Sequence, residues 1–195
     1  MAPILTSLRN TVIAGLVLLL VFIVLAADVF QVNLPLDTHG LTVVMVWAHV
    51  ISGVMWIGHL YYFNFTQIPN MPKIPDEQKP AISKVIAPAA LWWFRWGAMA
   101  TIITGLIVAY LYGYLIDALT LQGQQVIGIG MWLGIIMWFN VWFVIWPNQQ
   151  RALGMVEATP EVKAKSARMA MLFSRTNTLL SIPMLFGMIA YRLTM

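Results

Sequence analysis

Apolar residues fall in five long runs, separated by shorter stretches that hold most of the charge. The runs cover about Thr11 to Phe30, Leu41 to Phe65, Leu91 to Ile116, Val126 to Trp146 and Ala167 to Leu193. A helix needs roughly 20 apolar residues to cross a bilayer, and each run reaches that length. The pattern predicts an all-α integral membrane bundle of about five transmembrane helices, one domain over residues 1–195. The first run follows Arg9 and ends near a weak Ala26-Ala27 cleavage pattern. Its apolar length reads as a retained helix rather than a signal sequence. Pro183 lies inside the fifth run and is expected to kink it, which membrane helices tolerate.

Composition strengthens this reading. Hydrophobic residues make up 61% of the chain and charged residues 9%. A soluble domain carries roughly a quarter charged residues, so this chain has too few to cover a water-facing surface. The net charge of +4 does not point to nucleic acid, because the basic residues flank the apolar runs and form no basic face. Arg9, Lys73, Lys79, Lys84, Arg95, Arg151, Lys163, Lys165 and Arg168 mark one side of the membrane, whereas Gln31–Gly40 and Gly113–Gln125 contain no lysine or arginine. The positive-inside rule then places the N-terminus and the two long loops in the cytoplasm and the C-terminus outside. Arg192 is the exception, and it can snorkel to the interface. The expected location is the bacterial inner membrane. The proline-rich loop IPNMPKIPDEQKP cannot be helical throughout, and Ala81 to Ala90 is expected to form a short interfacial helix. Trp92, Trp93, Trp96, Trp142 and Trp146 fit an aromatic belt at the cytoplasmic boundary.

The chemistry concentrates in the second run, WAHVISGVMWIGHLYYFNF, which holds two of the three histidines. An unpaired imidazole in hydrocarbon is costly, and intramembrane ionisable groups are functional by default. His49 lies about 12 Å along the helix from its outer end, and His59 about 15 Å deeper and rotated by about 80°. The two cannot bind one metal from a straight helix, but they can serve separate metal sites stacked across the membrane. Gly53, one turn from His49, removes bulk as a flat macrocycle would require, and Trp56 continues the face. The plainer alternative is that each histidine hydrogen-bonds a carbonyl or hydroxyl on a neighbouring helix. His39 is expected in a solvated outer loop. The other runs hold no histidine, so a haem on His49 would take methionine, water or another chain's histidine as second ligand, or stay five-coordinate.

With no cysteine, thiolate metal sites, disulfides and CxxCH haem attachment are excluded. All seven carboxylates fall at helix ends or in loops, and no Walker, dinucleotide or HExxH motif occurs. Gly130-x-x-x-Gly134 suits close helix packing. The fifth run contains SRTNTLLSIPMLFGM, whose polar groups must pair within the membrane, with Asn140 a partner at similar depth. Interhelical hydrogen bonding is one reading. The other is a polar cradle for haem propionates or a polar substrate, built on Asn177 with Arg95 and Arg175.

Taken in order, WAHVISGVMWIGHLYYFNF, WFRWGAMATIITG, FNVWFVIWPNQQ and SRTNTLLSIPMLFGM resemble the N-terminal membrane domain of the cytochrome-linked, membrane-bound urate oxidase (urate hydroxylase) family. The resemblance runs over most of the chain from the second run onward. It implies that His49 is the family histidine and that redox chemistry feeds a cytochrome c. Two departures stand out: the chain has no CxxCH, and Arg175-Thr176-Asn177 stands where some relatives are expected to carry a histidine. The resulting expectation is a redox membrane protein with haem b on His49. Its partners would be membrane lipid and a cytochrome c or larger membrane complex, in an oligomer. The alternative is a non-catalytic accessory subunit of a respiratory or oxygenase complex.

Overall fold

The computed structural model describes residues 2–30 and 37–190. Every regular element among them is helical. A bilayer leaves the backbone no other way to satisfy its own hydrogen bonds, short of a closed barrel. A short turn at Ala2–Leu5 precedes α1 (Leu8–Phe30), α2 (Thr38–Lys73), α3 (Lys79–Leu111), α4 (Leu115–Thr120), α5 (Gln125–Ala152) and α6 (Pro160–Ala190). Helices α1, α2, α3 and α5 are long and apolar enough to cross a membrane. Helix α6, 31 residues long, is less apolar because its first half carries Glu161, Lys163, Lys165, Arg168 and Arg175, with serine, threonine and asparagine positions beyond them. It nevertheless runs antiparallel along α5, with Gly187 against Gly130 and Asn177 against Asn140. The five long helices expected are thus all present among the described residues.

The chain divides into two compact units, Met1–Val43 and Val44–Met195, with the boundary inside α2. In the first unit, Thr11 Oγ1 donates to the carbonyls of Ile4 and Ser7, each at 3.0 Å, tying the N-terminal turn to α1. Asp37 caps α2, its Oδ1 accepting from the backbone N–H groups of His39 (2.8 Å) and Gly40 (3.2 Å). This cap starts the helix earlier than the apolar run suggests. His39 is exposed, but it sits in the first turn of α2 rather than in a loop.

Prolines govern the helix ends of the second unit in two ways. Before Pro75, Ile74 turns extended (φ −86°, ψ 130°) and α2 stops, as the clash of a proline ring with the preceding residue favours. At Pro69, Pro88 and Pro147 the helices continue. In each case a π-helical stretch ends two residues before the proline: Tyr62–Gln67, Ile82–Ile86 and Asn140–Ile145. A widened turn relieves the contact between the ring and the carbonyl four residues back, so the helix absorbs the missing N–H. For this reason α5 runs on to Ala152 instead of ending at Trp146, and α3 is continuous from Lys79 instead of starting with a separate interfacial helix. Pro183 likewise lies inside an unbroken α6.

The third apolar run reaches Ile116, but α3 ends at Leu111. Gly113, at φ 77°, turns the chain in the left-handed region, where glycine carries no Cβ penalty. Tyr114 N–H then bonds back to Ala109 O at 3.1 Å. The remaining apolar residues form α4. Helix α6 starts earlier than its apolar run, at Pro160, because Thr159 caps it: its Oγ1 accepts from Val162 N–H at 3.4 Å. Residues 191–195, with Arg192 and the Leu193 limit of the fifth run, lie outside the described residues, as do residues 31–36 of the outer connection.

Two buried apolar clusters hold the second unit. The larger joins Trp56, Leu60, Leu91, Phe94, Met137 and Ile145 with their neighbours. The smaller joins Ala109, Tyr114, Ala118, Ile127 and Met131 near the lysine-free end. Polar side chains of α6 stitch the helices at the level of the larger cluster. Asn140 Nδ2 donates to Asn177 Oδ1 at 2.8 Å, and Asn177 Nδ2 to Met137 O at 2.9 Å. Tyr61 meets Ser181 across 3.0 Å, and Asn64 Nδ2 donates to Ser174 Oγ at 2.7 Å. The polar stretch of the fifth run is therefore an interhelical ladder, with Asn140 the partner expected from the sequence.

Candidate functional site: a histidine at an apolar cavity

A cavity of about 860 Å³ lies between residues of the two apolar clusters. Helix α2 contributes His49, Gly53 and Trp56; α3 contributes Thr101 and Gly105; α5 and α6 contribute Met131, Met184 and Met188. Sites for drug-sized ligands span roughly 300–1,000 Å³, are mostly apolar and carry few polar groups, which describes this one.

His49 is the one histidine of the lining. Its Nδ1 lies 3.0 Å from the Thr101 carbonyl and 3.3 Å from Thr104 Oγ1. A carbonyl only accepts, so Nδ1 must carry the proton. The Thr104 hydroxyl donates to Ala100 O at 2.6 Å, which leaves its oxygen free to accept from the same N–H. Nε2 therefore bears the lone pair, and it has no hydrogen-bond partner among the described residues. An imidazole pinned through one nitrogen to a carbonyl, with the other available, is the usual arrangement of a metal-ligating histidine.

Glycines shape the space. A Cβ on Gly105 would come within 2.8 Å of His49 Cε1 and 3.1 Å of Nδ1, so only glycine lets the ring lie against α3. A Cβ on Gly53 would meet nothing nearer than Thr101 Cγ2 at 4.0 Å, and one on Gly134 would meet nothing within 4 Å. Those two positions widen the cavity without being needed for packing. Of the Gly130–Gly134 pair, then, Gly130 makes the close helix contact and Gly134 opens the site. Trp56 is buried, and its indole N–H has no partner among the described residues.

Of the six positions picked from the sequence for a cofactor, three meet here: His49, Gly53 and Trp56. The other three lie elsewhere. Asn177 is fully buried and spends its amide on Asn140 and Met137. Arg95 stacks its guanidinium over Trp146, 3.4 Å from the ring centroid, and over Trp142 at 5.6 Å, at the lysine-bearing end. Arg175 is exposed and lines no part of the cavity. His59, the second metal candidate, is also absent from the lining, and its Nδ1 bonds Met55 O of its own helix at 2.7 Å. Sequence reasoning passed over Thr101, Thr104, Gly105 and the three methionines. The first three stand in the quoted segment WFRWGAMATIITG, a small-and-hydroxyl pattern facing no visible partner in one dimension. The methionines are lost among thirteen.

No curated protein and no solved structure matches the chain. Residues 119–195 match the family model described as urate oxidase N-terminal, the membrane-domain family that the four sequence segments resemble.

Proposed function

We propose that the chain is the membrane portion of a redox system, in which the cavity holds haem b with His49 as axial ligand. The observation that carries this reading is the Nδ1–H tautomer of His49, fixed by the Thr101 carbonyl, which leaves the lone pair on Nε2 of a residue that lines a large apolar cavity. The donor set favours haem over a bare ion. A bare zinc or copper ion takes three or four protein donors, whereas among the described residues no group of three or more His, Cys, Asp or Glu comes together. A macrocycle brings four nitrogens of its own and asks the protein for one or two.

When bound, haem b would take up and release one electron at a time. The chain's own residues do the rest. Thr101 and Thr104 hold the imidazole plane and its proton, Gly105 lets the ring lie against α3, and Gly53 and Gly134 leave room for a flat group. The apolar lining excludes water. The electron acceptor in this reading is an external c-type cytochrome, as the resemblance implies, and the protein would sit in the bacterial inner membrane with its N-terminus cytoplasmic. The family match supports a urate oxidase-like membrane domain and covers α5 and α6, while His49 rests on the geometry. Urate itself is not assigned as substrate, because fold-level likeness does not fix chemistry.

A reduced-minus-oxidised spectrum of the purified protein, with pyridine extraction, tests the reading. His49→Ala is expected to remove nearly all haem absorbance while leaving the protein inserted, and His39→Ala to leave it intact. A wild-type protein without haem would favour the accessory-subunit alternative, and an unchanged His49→Ala spectrum would end the ligand role.

A further inference from the structure

We infer that the sulfur of Met188 is the second axial ligand, so that the cavity takes a six-coordinate His/Met haem; this rests on the haem reading above. Across the cavity from α2 and α3, the walls of α5 and α6 offer no imidazole, carboxylate or thiolate. They offer three thioethers, Met131, Met184 and Met188. Tyr112 and Tyr114 also line the space, but their rings stack on each other with centroids 6.0 Å apart. A phenol must also lose a proton with pKa about 10 to ligate well, whereas a thioether binds neutral.

Two observations single out Met188. Met131 belongs to the smaller buried cluster and Met184 to the larger, each packed into it and at most 9% exposed. Met188 is a full member of neither and borders both, so its flexible side chain is the least committed to core packing. The second observation is register. Ser181 of α6 meets Tyr61 of α2. Met188 lies seven residues beyond Ser181, about two turns on and on the same face. Because the helices are antiparallel, that brings it to the level of Gly53, about two turns back along α2 from Tyr61 and one turn from His49.

A neutral imidazole and a neutral thioether in an apolar lining leave ferrous haem without net charge on its core and ferric haem with a buried positive charge. The pair therefore favours the reduced form and raises the potential, as His/Met ligation does in cytochromes c.

The test compares wild type with Met188→Leu, Met188→His, Met131→Leu and Met184→Leu in the purified, haem-bearing membrane protein. Four properties are read: haem content by pyridine extraction, the far-red sulfur-to-iron band of the ferric form, the reduction potential, and carbon monoxide binding to the ferrous form. In Met188→Leu the sulfur band is expected to vanish, the potential to fall and carbon monoxide to bind faster, with haem still present. Met188→His is expected to convert the spectrum to that of a bis-histidine haem, which covers the case in which the leucine variant fails to fold. Retention of the sulfur band in Met188→Leu, or its loss in Met131→Leu or Met184→Leu instead, would overturn the assignment while leaving haem on His49. Absence of haem from the wild type would overturn the haem reading and this inference with it.

Discussion

Within the unit Val44–Met195, the same helices behave differently at their two ends. Toward the lysine-bearing end, α2, α3, α5 and α6 are filled by aromatic and aliphatic side chains and tied by the pairs Asn140–Asn177, Asn64–Ser174 and Tyr61–Ser181. Arg95 closes that region over Trp142 and Trp146. Toward the other end the helices line an apolar cavity whose polar group of note, His49, is held by a carbonyl and a hydroxyl of α3. In lipid, apolar contact gives helices little reason to prefer each other over acyl chains, so packing and hydrogen bonds must fix the bundle. The ladder supplies that fixity at one end. It leaves the other free to carry a space that close packing would otherwise eliminate.

The two ends should respond to different probes, and the largest difference is all-or-none. Single cysteines placed at Ser83 and at Gln124 are expected to react with an impermeant label from opposite faces of the membrane, Ser83 from the cytoplasmic side. Labelling of both from one face would rule out the antiparallel assignment of α3 and α5 ends, and with it the orientation.

The next effect is local to the cavity. Gly105→Ala drives a Cβ to within 2.8 Å of the His49 ring, which must leave the Thr101 carbonyl to make room. Overpacking of this kind costs about 1–3 kcal/mol. The expected outcome is a clear drop in haem content with little loss of ladder contacts, measured by pyridine extraction and thermal unfolding of the same sample. Full haem content with an unaltered spectrum would show that the ring position does not matter.

A smaller effect belongs to the ladder. Asn177→Ala leaves the buried Asn140 amide without its side-chain partner and takes one donor from the Met137 carbonyl, which keeps the backbone N–H of Asn140. Interhelical side-chain hydrogen bonds in membranes average about 0.6 kcal/mol and reach about 1.7. A loss of about 1–2 kcal/mol in unfolding from detergent is expected, with the haem spectrum unmoved. A spectral change equal to that of Gly105→Ala would place Asn177 at the cofactor after all, and the separation of the two ends would fail.

Much of this architecture was legible in the chain. Apolar length fixes where helices lie, because a bilayer rewards nothing else, and the lysine pattern divides their ends. The intramembrane position of His49, with Gly53 and Trp56 on one face, was readable from helical periodicity within a single segment. Helix limits were less legible. Caps at Asp37 and Thr159 extend two helices beyond their apolar runs, and the turn at Gly113 cuts one short. A hydropathy pattern registers burial in lipid, not the satisfaction of terminal N–H and C=O groups.

What the tertiary structure alone decided is which polar residue meets which. From the sequence, the polar set with Asn177 and Arg95 could serve either interhelical hydrogen bonds or a cradle for haem propionates, because polar groups are costly in a membrane whichever partner they find. Only the packing shows Asn177 spent on Asn140 and Met137, and Arg95 spent on Trp146. The same holds for His49: sequence periodicity sets its depth, but its proton is placed by Thr101, 52 residues away on another helix. The sequence by itself determined the solvent this chain lives in and the residues it could not leave unpaired. The fold chose their partners, because hydrogen bonds across helices depend on register and rotation that no single helix contains.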